Sequence, residues 1–320
     1  MSKPAIPKNL LKDNPITILD LGAAGGIHKR WNSYKTVIRS ILFEANKEEC
    51  MKLISNKQES TIVINSVLAD KCKMVNFNIC EKQQVSSTYV PNVSLLKMYE
   101  ESERFKINKT IRMEANSINN LLPDNGIKEV DFIKIDTQGS ELDILKGATN
   151  YFENLIGLEV EIEFVELYLD QPLFPEVHSF IESKGFSLID LRKYYWKRKN
   201  NRSSYNKGNL IFADALYLKS PESLIKMIGV NQEKIIKSIY IYLAYGYFDL
   251  ARSLLLLSTK NNLLSDKLSH QMEKIIDTYE GGFLLPNFKG KERIKDFFYF
   301  FGNKFSSKVF YSGSDSKLGN

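Results

Sequence analysis

Apolar residues come in short bounded runs along the first two thirds of the chain and at helical spacing along the last third. Residues 16–22 (ITILDLG) form a run too continuous for a half-exposed strand, which predicts a buried parallel strand. A glycine turn follows. Residues 26–40 then have the length of a helix, and 41–45 form a second strand with Glu44 at its end. A helix over 47–56 leads to a third strand over 61–70, running out at Asp70. Strand-helix-strand-helix-strand is the first half of a doubly wound sheet. Residues 74–80 and 107–115 read as weaker strands, separated by a polar segment (85–105) suited to a lid or a connecting helix.

The pattern sharpens again over 129–148, where VDFIKID predicts a strand and TQGSELDILKGA a turn and helix, with Ser140 and Glu141 in its first turn. A strand over 155–164, a helix over 174–184 closed by Gly185, and strands over 186–196 and 210–219 complete the region. The last pair is expected as a hairpin, making the final strand antiparallel. After Ser220-Pro221 only helical periodicity remains, over about 222–229, 231–246, 247–259 and 265–280. The expected architecture is a leader (1–15), an α/β Rossmann-like domain (16–220) and an all-helical extension (221–320).

Composition is that of a folded chain, 43% hydrophobic and 26% charged, with no low-complexity tract. Cys50, Cys72 and Cys80 form no CxxC pair, which argues against a disulfide framework or a zinc site and fits a reducing compartment. The N-terminal residues lack an apolar signal core and no run reaches membrane-spanning length, so a cytoplasmic location is expected. The net charge of +6 is concentrated. Residues 191–208 carry Arg192, Lys193, Lys197, Arg198, Lys199, Arg202 and Lys207 without one acid. From Pro286 onward, seven more Lys/Arg face Glu292, Asp296 and Asp315. Two basic segments suit an anionic partner.

The first turn is the clearest candidate site. Gly22, Gly25 and Gly26 let backbone amides approach a ligand, and Glu44, after the next strand, suits ribose hydroxyls. Asp20 either orders this loop or meets the ligand's amino group through water. Asp70 is either an adenine contact or a turn acid. Asp136 ends its strand at the edge where open sheets bind ligands, so it is a candidate base, acceptor-positioning group or metal ligand, and also a helix N-cap. Glu159, Glu161 and Glu163 share one strand face inside a sheet, where acids are costly to bury. Glu161 and Glu163, nearest the carboxyl end, either line the acceptor cleft as base or sugar-hydroxyl acceptors or sit on a partly uncovered sheet face, whereas Glu141 reads as a helix-dipole acid. No pair of the three histidines has metal-ligand spacing, so no metal site is assigned. Tyr194, Tyr195, Trp196 and Tyr205 among the bases suit stacking on sugars or bases, or a solvated hairpin. The basic aromatic tail IKDFFYFFGNKF suits either an anionic membrane surface or packing on the core.

Four stretches resemble the FkbM family of class I S-adenosylmethionine-dependent methyltransferases: ILDLGAAGG, FEAN, DFIKIDTQGSELDILKGA and FVELYLDQPLFPEVHSFIESKGFSLIDL. The resemblance covers residues 16–219, with Ala45 in place of the family's proline. It implies a seven-stranded sheet ending in an antiparallel hairpin. It also implies a cofactor, S-adenosylmethionine, bound by Asp20, Gly22, Ala23, Gly26, Glu44 and Asp70. Asp136, Glu161 and Glu163 are then the catalytic candidates. The expected activity is O-methylation of a sugar in a surface glycan or of a secondary metabolite. The expected partner is a small-molecule or glycan acceptor, not a specific nucleic acid. Residues 221–320 are candidates for a peripheral membrane or glycan-assembly contact. The alternatives are a nucleic-acid methyltransferase using the basic segments, an NAD-dependent oxidoreductase, and a non-catalytic glycan-assembly protein.

Overall fold

The computed structural model describes residues 10–280 apart from 12, 24, 201–207 and 228, and beyond them 289–290, 293–294, 296–298, 301 and 310–312. Much of the expected leader, Arg202, Tyr205 and Lys207 of the basic loop, and most of the aromatic tail lie outside the described residues. The strands are β1 (Ile16–Leu21), β2 (Ile38–Glu44), β3 (Thr61–Asn65), β4 (Val67–Leu68), β5 (Lys73–Cys80), β6 (Ile107–Asn116), β7 (Phe132–Ile135), β8 (Gly157–Glu163), β9 (Ser187–Trp196), β10 (Asn209–Leu218) and β11 (Phe310–Ser312). The α-helices are α1 (Lys47–Asn56), α2 (Val93–Leu96), α3 (Ile118–Asp124), α4 (Glu141–Lys146), α5 (Phe174–Ser183), α6 (Pro221–Leu224), α7 (Gln232–Tyr245), α8 (Phe248–Lys260) and α9 (Asp266–Glu280).

The main sheet runs β11-β9-β10-β8-β7-β1-β2-β3. From β3 to β8 every neighbouring pair is parallel, while β10 is antiparallel to both β8 and β9. These are the seven expected strands with the expected terminal hairpin, and β11 adds an eighth at the β9 edge. The expected third strand is two pieces. It leaves the main sheet after Asn65, and Val67–Leu68 joins β6 in a second sheet of order β4-β6-β5. The two weaker strands therefore form a separate antiparallel ribbon whose connection, residues 81–106, folds back over the carboxyl end of the main sheet.

One expectation fails outright. Residues 26–40 do not form a crossover helix; only a 3-10 turn spans Lys29–Tyr34, and β2 begins by Ile38. The segment's Asn, Ser, Tyr, Thr and Val are weak helix formers. A three-residue repeat also eclipses Trp31 and Tyr34, whose rings meet edge-on at 5.8 Å and are both buried. The sheet face that a crossover helix would cover is taken by α7, α8 and α9 instead. Ile16, Ile18, Phe132, Leu216 and Leu218 share one core with Ile239, Leu254 and Met272. Trp31 touches Tyr245 of α7 edge-on at 6.0 Å, and Tyr34 touches Tyr240 at 6.3 Å.

Helix α7 is buried all round from Ile235 to Tyr245, as its lack of a polar stripe requires. Asn231 caps its start, and Gly246, at φ 85°, ends it in the left-handed conformation. An ion cluster fixes its angle. Asp131, fully buried below β7, accepts from Lys234 (2.8 Å), Lys237 (2.9 Å) and the Thr17 amide (2.8 Å). The opposite sheet face packs Leu19, Ile133, Ile135, Val160 and Ile162 against α3, α4 and α5. Among the described residues no helix is long and apolar enough to cross a membrane.

Candidate active site

Two adjoining cavities open at the carboxyl ends of β1, β2 and β7, sharing Gly22, Gln84, Asp136 and Gln138 as a common wall. The first, about 100 Å³, reaches from Gly22 past Glu44 and Asn46 to Val67, Leu68 and Ile144. The second, about 290 Å³, holds Ala23 and Gly26 of the glycine turn, Asp20, Lys134, Asp136 and Glu161. Its other side is Lys82, Arg104, Phe105, Trp196 and Phe212.

The glycine turn is built around a close approach. Gly22 has φ 82°, and a Cβ there would lie 2.0 Å from the Asp136 carbonyl oxygen. Only glycine lets the end of β1 pass the end of β7 so tightly. The Gly22 and Ala23 amides both donate to the Phe43 carbonyl (3.1 Å each), and the Gly26 amide to Ala23 (2.8 Å). This pins the turn to β2 and sets Glu44 across the first cavity from it. Glu44 Oε1 accepts the Asn46 amide at 2.8 Å, and burial pushes its carboxyl up. Asn46 in turn caps α1, accepting from the Glu48 and Glu49 amides. The sequence FEAN thus encodes the strand end, the acid and the cap together.

Asp136 does not cap α4; Ser140 occupies that position. Its Oδ1 accepts from Gln138 Nε2 (3.1 Å) and its Oδ2 lies 3.8 Å from Lys134 Nζ. Gln138 is the residue that sequence reasoning missed. It has φ 59°, a left-handed conformation rare outside glycine, which aims its side chain back over the strand ends. The same Nε2 donates to Glu161 Oε2 at 2.7 Å, while Oε1 accepts from the buried Tyr168 hydroxyl at 3.0 Å. Gly139 follows at φ 99°, and Ser87 Oγ donates to the Gln138 carbonyl at 2.6 Å. A polar residue before Gly139 is the only trace of this in the sequence.

The three glutamates of β8 are all buried, as the period-2 pattern predicts, but they part company. Only Glu161 reaches the second cavity. Glu159 is capped by the Tyr245 hydroxyl (2.6 Å) and lies 3.7 Å from Arg30. Glu163 lies outside both cavity walls, with Gln171 partly offsetting the effect of burial on its carboxyl. Burial holds Glu161 and Glu163 well above the usual carboxylate range; Asp136 adds to the effect on Glu161, and Glu141 to that on Glu163. Glu141 is likewise no surface dipole acid. It is 2% exposed, accepts from the Thr137 amide (2.8 Å) and hydroxyl (3.0 Å), and is pushed by burial to about 7.

Asp20 is buried beneath the glycine turn, 3.5 Å from Lys134, and burial raises its pKa. Asp70 does not join the site. Because the chain turns into the second sheet at Val67, Asp70 falls on a turn, paired with Lys73 at 2.6 Å, and lines neither cavity. Ser66, Val67 and Leu68 stand at that end of the pocket instead. His28 caps the 3-10 turn and accepts from the Arg30 amide at 3.2 Å. Among the described residues no cluster of His, Cys, Asp and Glu is arranged to hold a metal.

The family model described as Methyltransferase FkbM domain matches residues 20–188, more than half of the chain. The chain belongs to the FkbM methyltransferase family. It is an S-adenosylmethionine-dependent methyltransferase, and the donor set of the first cavity fits that cofactor. An acid stands opposite a glycine turn, an apolar slot runs between them, and a buried acid, Asp20, underlies the turn. Methyltransferase sdnD of Sordaria araneosa is 25% identical over 205 residues, 56% of this chain and 76% of that protein. Among solved structures, precorrin-6y C5,15-methyltransferase from Geobacter metallireducens aligns with TM-score 0.32 and 11% identity, over 67% of this chain and 85% of that one. TrmK of M. capricolum, in complex with S-adenosyl-homocysteine, gives TM-score 0.33 and 9% identity over 87% and 97%. Similarity at that level bears on neither substrate nor mechanism.

Proposed function

We propose that this FkbM methyltransferase transfers its methyl group to a hydroxyl oxygen of a small molecule or glycan, most plainly a sugar or a polyol of secondary metabolism. The observation that carries this reading is the carboxylate pair Asp136 and Glu161, bridged by Gln138 on the wall between the two cavities. A hydroxyl needs its proton removed as the new bond forms, and a positioned carboxylate does this.

In this reading Glu44 holds the ribose hydroxyls, the turn from Gly22 to Gly26 takes the methionine end, and Asp20 faces its ammonium. When bound, S-adenosylmethionine supplies a methyl already activated on a sulfonium. The protein's part is then alignment and proton removal. Asp136 would accept the proton that the acceptor hydroxyl gives up on methylation. Glu161, whose carboxyl burial and the neighbouring Asp136 push up, orients the acceptor. Glu163 and Glu141 act behind this pair as buttresses of the strand end. Asp136→Ala should abolish turnover on hydroxyl acceptors with S-adenosylhomocysteine affinity nearly unchanged. Loss of cofactor affinity on the same scale as turnover would refute this division of labour.

A further inference from the structure

The basic aromatic tail takes no part in methyl transfer, and its described apolar side chains stand outside the body of the fold. Residues 293–294, 296–298 and 301 are helical, and the Ile294 amide donates to the Gly290 carbonyl at 3.1 Å. Ile294, Phe297, Phe298 and Phe301 stand at i, i+3, i+4 and i+7, the spacing of one helix face. That face packs on itself: Phe297 meets Phe298 edge-on at 5.8 Å and Phe301 at 5.9 Å. None of the four belongs to a buried core among the described residues, and Phe297 and Phe298 are 59% and 69% exposed. Packing on the core, one of the two roles expected for this tail, is not what these described residues do.

Charge around this face selects the occupant. Residues 289–308 carry six Lys/Arg (Lys289, Lys291, Arg293, Lys295, Lys304, Lys308) against two acids, Glu292 and Asp296. Arg293 adjoins the apolar face, about 100° round the helix from Ile294, while Asp296 lies about 200° from it, on the opposite side. A cation beside the aromatic face and an acid opposite it suit a helix lying in the interface of an anionic bilayer, with rings at the acyl boundary and bases at the lipid phosphates. Among the described residues no helix is long and apolar enough to cross a membrane, so the fit is to a surface. Beyond this helix β11 ties the tail back to the main sheet, where Phe310 pairs with Trp196, a wall residue of the second cavity.

We propose that residues 289–308 bind an anionic lipid surface, with Ile294, Phe297, Phe298 and Phe301 in the interface and the Lys/Arg side chains at the headgroups. The inference is independent of the acceptor's identity. Through β11, a tail bound in this way holds the β9 edge of the second cavity at the lipid surface.

The test is flotation of the full chain with vesicles of phosphatidylcholine and with vesicles of equimolar phosphatidylcholine and phosphatidylglycerol. The chain should float with the anionic vesicles and stay behind with the neutral ones, and added salt should weaken the binding. Phe297→Ser combined with Phe298→Ser, both on exposed side chains, should lower partition into anionic vesicles about 10-fold or more. Melting temperature and S-adenosylhomocysteine affinity should match wild type in that double variant. Equal flotation with both vesicle types, flotation with neither, or a double variant that partitions like wild type would each overturn the proposal. A dimer that forms without vesicles and is lost in the double variant would overturn it too, and would assign the face to a second copy of this chain.

Discussion

Gln138 donates to Glu161 at 2.7 Å from a backbone held at φ 59°. A strained residue whose amide is fully used marks a built site. Gln138→Leu should lower kcat on the native acceptor by about 10- to 100-fold, within the range for misplacing a general base. Losing a donor to a carboxylate raises that carboxylate's pKa, so the acid limb of the pH–rate profile should also move to higher pH. An unmoved limb with full kcat would remove Gln138 from the positioning role.

The glycine turn gives a sharper test of packing. Gly22→Ala places a methyl 2.0 Å from the Asp136 carbonyl at a φ of 82°, and neither backbone can yield cheaply. We expect a stability loss of about 1–3 kcal/mol from the left-handed conformation alone, together with loss of S-adenosylhomocysteine binding. Calorimetric melting and titration of one preparation measure both; wild-type values in either would contradict the close approach.

Tyr245 connects the C-terminal helices to the site. Its hydroxyl donates to Glu159 at 2.6 Å, and Arg30, next to the glycine turn, sits 4.1 Å over its ring. Tyr245→Phe leaves a buried carboxylate short of a donor, at a cost of about 1–3 kcal/mol. Chemical denaturation should show that loss in the midpoint with an unchanged slope. A midpoint equal to wild type would mean that Glu159 finds another partner.

Buried acids fix the sign of the pH dependence. Burial pushes the Glu141 carboxyl up to about 7 from its ordinary 4.5. Its folded form therefore binds the proton more tightly, and stability falls as pH rises from about 4.5 through 7. Glu161 and Glu163 add to the fall, their shifts having the same direction. Glu141→Gln keeps an acceptor for Thr137 and removes the titration. Melting temperatures across that window should then decline less steeply than in wild type; parallel curves would contradict the assignment.

How much of this was legible in the sequence differs by residue. The parallel strands, the terminal hairpin and the strand-end places of Glu44 and Asp136 were readable because apolar runs stop there. The helix expected over 26–40 was not there, since length and glycine punctuation say nothing about which element covers a sheet face. Trp31 and Tyr34 are the mark of that choice, two large rings three apart that meet α7 more than two hundred residues later. Asp70 was misplaced because the turn at Ser66 interrupts a run that periodicity reads as one strand. Gln138, Arg104 and Trp196 owe their places to tertiary contacts between distant segments, which no local pattern encodes.

The central claim is that the pocket between Gly22 and Glu44 holds the cofactor. Calorimetric titration of S-adenosylhomocysteine into wild type and Glu44→Ala tests it most directly. The account predicts micromolar binding by the wild type, weakened about 10-fold or more in the variant, as for one or two hydrogen bonds to a charged group. Equal binding by both proteins would move the ribose elsewhere, and no binding by the wild type would contradict the account.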